Sequence, residues 1–421
     1  MKNERAGHTF RAFRDRNYTL FFAGQSVSQI GTWMQRTAII WVIYSLTHSA
    51  AMIGLAMFAQ QFPSFLLSLV GGVVADRYSR YRILLITQTA SMLQAISLSI
   101  LVLSGHYVIW EILSLGAVLG IINAFDVPAR QPMVHEMVNN KEDLANAISL
   151  NSAMVNLARL VGPALSGIVL QQFGAGVCFI VNAVSFLAVI TSLLLMHFAP
   201  FVPSAVKKKV TVELAEGLRY LKQTRGIATL IILLACLSLL ILPYDTLMPV
   251  FAKVIFEGNA ATYGYVTGTI GLGALAGTFF LASAKRGADL RKFLLSSIVV
   301  LGAGLILFSR VTYFPLALPF AIIIGLGSIM PMSASITIIQ TEGAAHMRGR
   351  VMSYVAMAYF GMMPLGSLLI GAISQKIGAP LTMLCQGILA VLIAVLFARL
   401  LYKAQPEQPI TETTHYSSIK N

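Results

Sequence analysis

Four charged residues interrupt long apolar stretches of this chain, and their placement could do chemistry: Arg36, Asp126, Arg159 and Asp245. A charge held away from water must find a partner, a wet cavity, a ligand or a proton. Arg36 and Asp245 each fall about 18 residues into an apolar stretch, which at roughly 1.5 Å per helical residue puts both in the outer half of a bilayer. From there Arg36 could attract an anionic group, and Asp245 could pair with it or carry a coupling proton. A structural outer-gate pair is the plainer alternative. Asp126 and Arg159, expected towards the cytoplasmic ends of their stretches, suit an inner-gate salt bridge better than substrate contact.

The elements that must position these residues follow from composition. The chain has 421 residues, 57% of them hydrophobic and only 11% charged, whereas soluble domains carry about 25% charged residues. Continuous apolar runs long enough to cross roughly 30 Å of hydrocarbon recur throughout, and their lack of alternation excludes a β-barrel. The expected fold is an all-α polytopic membrane protein with twelve spans. The first, from Tyr18 to about Leu46, is unusually polar, with Gln25, Ser28, Gln29, Gln35 and Arg36. One of its faces must therefore look into protein or an aqueous cavity. Gln29, Gln35, Arg36 and the aromatic Trp33 are its candidate substrate contacts.

Charge sets the orientation. All Lys and Arg residues except Arg36, Arg159, Lys253, Arg310 and Lys376 fall in the tails or in the turns on the same side as the tails. The positive-inside rule places both termini and the central linker in the cytoplasm. The net charge of +14 reports this orientation and not nucleic-acid binding.

The chain divides into a tail (1–17), a first six-helix bundle (18–199), a linker (200–225), a second bundle (226–401) and a polar tail (402–421) expected to be disordered. In the linker, Val212, Ala215, Leu218 and Leu221 recur at helical spacing, as in an amphipathic helix lying along the membrane surface. The bundles echo each other: Ser49–Gly54 and Asn259–Gly264 open spans 2 and 8, and Arg36 and Asp245 stand at nearly the same offset. Duplicated six-helix units around an axis normal to the membrane are a transporter architecture.

Between spans 2 and 3, Gly72, Asp76, Arg77 and Arg80 form a compact charged turn. In span 5, Gly162, Pro163 and Gly167 combine close helix approach with a lost backbone donor. From about Phe10 to Leu401 the chain resembles the major facilitator superfamily: the first group is similar to its loop 2-3 signature, with Ser79 where Gly is usual, and the second to the span 5 motif of its antiporters. Gly31–Arg36, Phe125–Gln131 and Arg348–Ser353 resemble the bacterial branch of siderophore exporters and macrolide efflux permeases. The resemblance implies a gate latch at Gly72, Asp76, Arg77 and Arg80. The corresponding turn between spans 8 and 9, Ala284–Asp289, has lost the Asp-Arg order, so the latch is expected mostly on the first half.

The expectation is a monomeric secondary exporter in the bacterial inner membrane, moving a small or amphiphilic organic molecule by alternating access and proton antiport. Uptake or lipid flipping on the same fold, or a non-transporting scaffold, are the alternatives. No nucleotide-binding loop of the GxxxxGK[ST] type occurs, no cofactor or metal is expected, and the seven histidines lie mainly in loops and tails, so no enzyme is indicated. Cys178, Cys236 and Cys385 lie in apolar runs as packing residues.

Overall fold

In a computed structural model, residues 10–138, 140, 142–197, 210–283, 289–344 and 346–403 are described. They are helical, with no strands among them. The long helices are α1 (Arg16–Thr47), α2 (Ala50–Arg77), α3 (Arg80–Leu103), α4 (Ile109–Met137), α5 (Leu144–Phe173) and α6 (Ala175–Leu194). After a linker helix (Val210–Gln223) come α7 (Arg225–Ile255), α8 (Ala260–Ala282), α9 (Leu290–Phe308), α10 (Phe314–Glu342), α11 (Arg348–Ile377) and α12 (Ala379–Lys403). Eleven of the twelve are long and apolar enough to cross a membrane, and α1, with its polar residues, is the exception.

The helices pack as two pseudo-symmetric six-helix bundles. In the first, α1 lies on α5 and α6, α2 on α4, and α3 on α4 and α6. The second repeats each pairing six helices later: α7 on α11 and α12, α8 on α10, and α9 on α10 and α12. The halves meet along α2–α11 and α5–α8, themselves an equivalent pair.

Local sequence explains the repeat. Ser49 caps α2 by accepting from Met52 N, and Asn259 caps α8 by accepting from Ala261 N and Thr262 N. These side-chain oxygens satisfy amides that the first helical turn leaves free. Gly174 and Gly378, at φ 81° and 85°, end α5 and α11 in the left-handed region that glycine enters without strain.

The helices break at three places, all in the second half. Pro243 (φ −70°, ψ 15°) interrupts α7 within a 3₁₀ stretch, Leu242–Leu247, and a π turn, Phe251–Ile255, comes after it; α11 carries a second π turn at Met357–Gly361. Proline has no backbone donor to offer the Leu239 carbonyl, and beside the break Gln386 Nε2 on α12 donates to the carbonyls of Leu240 (3.0 Å) and Ile241 (3.2 Å), tying it to α12.

The charged turn between spans 2 and 3 proves shorter than its sequence suggests. Helix α2 continues through Arg77 and α3 starts at Arg80, leaving only Tyr78 and Ser79 between them. The tight crossing there belongs to Gly71, where a side chain would collide with the Ala124 carbonyl of α4, whereas Gly72 faces open space.

The linker helix is held by polar contacts from its own side chains. Glu216 pairs with Arg350 at 2.6 Å, Tyr220 Oη accepts from Ala344 N at 3.1 Å, and Leu221 is buried, so it docks on the second half. Ala215 and Leu218 of the expected apolar stripe remain exposed. The turn Ala284–Ala288, the Lys207–Lys209 run and the tail beyond Lys403 lie outside the described residues.

Candidate functional site

Between the halves, a cavity of about 50 Å³ is lined by Trp33, Arg36, Arg159, Pro163, Asp245 and Tyr263, with Thr37, Ile40, Met57, Thr267 and Ile270 around them. Helices α1, α2 and α5 supply one wall, and α7 and α8 the other. Trp33 and Arg36 are one turn apart on α1 and share a face. The Arg36 guanidinium carbon lies 5.2 Å from the Trp33 ring centroid and that of Arg159 lies 5.9 Å from it. The electron-rich ring face attracts both cations.

Gly162 makes this approach possible. A Cβ there would lie 2.5 Å from Trp33 Cβ and 3.0 Å from the Ile30 carbonyl, so only glycine lets α5 bring Arg159, one turn away, against α1. Asp245 comes from the 3₁₀ break of α7, where the non-helical backbone turns the carboxylate towards Arg159 and Arg36. Neither arginine forms a direct ion pair with it among the described residues. Thr246 donates to Met57 Sδ at 3.3 Å, and Tyr263 stacks on Trp41 with centroids 5.8 Å apart, so the cavity wall is joined across the halves.

The expected pair of Asp126 with Arg159 does not form. Asp126 is buried on α4, accepts from Thr87 Oγ1 (2.9 Å) and Gln88 Nε2 (2.7 Å), and pairs with Arg130 at 3.4 Å. Helix α5 begins at Leu144 and puts Arg159 fifteen residues in, near mid-membrane, beside Arg36 and Asp245. Counting depth along span 5 is the signal that would have found it. Gln35 also lies elsewhere: it accepts from Asn182 Nδ2 (2.8 Å) and donates to Gln94 Oε1 (3.0 Å), within the first bundle. Gln29 is half-buried on α1, outside the cavity lining.

Towards the face opposite the termini the halves are also hydrogen-bonded to each other. Ser49 Oγ donates to Gln375 Oε1 at 3.0 Å, and the same oxygen accepts from Ala50 N at 3.1 Å. A Cβ at Gly167 would stand 2.8 Å from the Ala260 carbonyl and from Gly264 Cα, so α5 and α8 nearly touch there. On the basic face, the ion pairs among the described residues do not cross between the two bundles. Arg80 bonds Glu136 and stands 3.8 Å from Asp76, while Arg77 is exposed. In the second half Arg291 pairs with Glu342 at 2.6 Å, and Asp289 caps α9. The second half thus carries an ion pair, Arg291–Glu342, comparable to Arg80–Glu136 in the first.

The transmembrane secretion effector family of the major facilitator superfamily matches residues 7–418. The chain belongs to this family. Over 386 residues this secretion-effector protein is 26% identical to the staphyloferrin A transporter of Staphylococcus aureus, across 90% of this chain and 94% of that one. It is 25% identical to the multidrug efflux pump Tap of Mycolicibacterium fortuitum, across 87% and 91%. A POT family transporter crystallised with 5-aminolevulinic acid superposes with a TM-score of 0.75 at 13% identity, covering 93% and 97% of the two chains, a likeness of fold. The secretion-effector chain is a multi-pass membrane transporter and not an enzyme.

Proposed function

We propose that this transporter exports a small amphiphilic organic compound from the bacterial cytoplasm by alternating access, coupled to inward proton flow. The observation that carries this reading is the Arg36–Arg159–Asp245 cluster, set in a cavity between two halves that, among the described residues, are hydrogen-bonded together towards the face opposite the termini. On this reading the basic face, with both termini, is cytoplasmic, and the site is reached from there. A cavity of about 50 Å³ is far below the roughly 300–1,000 Å³ of a drug-sized pocket, so cargo enters as the halves rock apart.

Asp245 is the one carboxylate among the lining residues, and it is assigned the coupling proton. A siderophore or drug-like cargo is suggested by what the relatives' names say they carry. The Asp76–Arg80–Glu136 group serves as the latch, joined by Arg291–Glu342, with Gly162, Pro163 and Gly167 shaping the moving helix α5. The working unit is a monomer in the inner membrane.

The test uses inverted vesicles containing the protein. Labelled candidate siderophores and drugs should accumulate when the lumen is made acidic, and Asp245→Asn should abolish that accumulation with protein levels unchanged. Accumulation that survives dissipation of the gradient would remove proton coupling.

A further inference from the structure

The charges in the central cavity do not balance. Arg36 and Arg159 bring two guanidiniums, Asp245 brings one carboxylate, and the other lining residues are neutral. With Asp245 ionised, the cluster holds one surplus positive charge near the middle of the bundle, where an uncompensated charge is costly. The Trp33 ring attracts both cations at 5.2 and 5.9 Å, but a quadrupole softens a full charge without cancelling it. Asp245 makes a direct ion pair with neither arginine among the described residues, so both planar donor sets stay open to a further oxyanion.

We propose that this cavity binds a monoanionic headgroup, a carboxylate or similar planar oxyanion, between Arg36 and Arg159, with Asp245 as the fixed counter-charge. The proposal rests on the export reading and names the charge class of its cargo. A monoanion brings the cluster to neutrality, a cation would raise its surplus, and a dianion would overshoot. About 50 Å³ suits a headgroup of a few heavy atoms, so the rest of the molecule extends along the interface, past Trp33, Ile40 and Ile270. Proton carriage on Asp245 is compatible with this. The loaded cluster is neutral and the returning one positive, so an inside-negative potential favours the return, and a proton would add a second charge to it.

The test is equilibrium binding to the full-length protein in nanodiscs, read by tryptophan fluorescence. Of three tryptophans, Trp33 lines the cavity, Trp41 stacks on Tyr263 beside it, and Trp110 is exposed elsewhere; a Trp110→Phe background isolates the site. The probes are 4-phenylbutyrate, its methyl ester and 4-phenylbutylamine. The carboxylate alone should quench saturably, and Arg36→Gln and Arg159→Gln should each weaken it by about tenfold or more. Equal or tighter binding of the amine or ester, carboxylate binding unchanged in either variant, or no saturable carboxylate signal would overturn the proposal. If a variant fails to fold, the ranking of the three probes on the parent protein decides. Amine binding in place of carboxylate would refute the anion site and leave export standing. Intact carboxylate binding without gradient-driven uptake in vesicles would refute export and leave the site.

Discussion

The two halves share a helix plan and hold it by different means. The first half is knitted by directional bonds: Gln35 links α1 to Asn182 on α6 and to Gln94 on α3, and Gln94 donates on to the Leu115 carbonyl of α4. Asp126 adds a second junction between α3 and α4. The second half is packed chiefly by apolar contact, as in the group of Phe251, Phe256, Phe308 and Phe314. It also contains all three helix breaks. A hydrogen-bonded network accepts one arrangement of its donors and acceptors, whereas apolar contact is non-directional. The comparison teaches that the site is held from two differently built sides: the hydrogen-bonded first half carries Arg36 and Arg159, and the second presents Asp245 from its broken α7.

The strongest test of that contrast is Phe308→Ala. Truncating this fully buried ring, in contact with Phe251 and Phe256, should cost about 3 kcal/mol, seen as a lower melting temperature in detergent. A cost below about 1 kcal/mol would show that the second half does not depend on apolar packing. Next, Gln35→Leu strands the amides of Gln94 and Asn182 and should cost about 1–2 kcal/mol, with transport falling only as folded protein falls.

Gln386→Leu separates stability from positioning. It should cost about 1 kcal/mol by removing the bonds from α12 to the Leu240 and Ile241 carbonyls, yet cut transport severalfold more than the loss of folded protein explains, because the turn bearing Asp245 loosens. Transport tracking stability would reduce Gln386 to a packing residue. Smaller still are Glu136→Gln and Glu342→Gln, half-exposed partners whose loss should cost under about 1 kcal/mol. If both pairs act as latches, the two variants should change transport rate alike; a change in only one would place the latch in one half. Smallest of all, Gly72→Ala should shift stability by no more than about 0.5 kcal/mol, since it faces open space.

Composition and periodicity by themselves determined the number of helices, the two-bundle plan and the residues that deserve scrutiny. An apolar run of span length has one low-energy form in lipid, because every backbone amide must bond within its own segment. Local pattern was equally sufficient for where spans 2 and 8 open, at Ser49 and Asn259, and the structure adds that both residues cap their helices. Partnership was another matter. Arg159 joins Arg36 and Asp245 and not Asp126 because Gly162 lets α1 and α5 close and Pro243 turns α7. Gln35, polar enough to read as a cargo contact, is bound by Asn182 and Gln94, far from it in the chain. Such choices depend on which helix faces meet and at what depth. Crossings of that kind are set by close-packed surfaces from distant segments, and only the tertiary structure decides them.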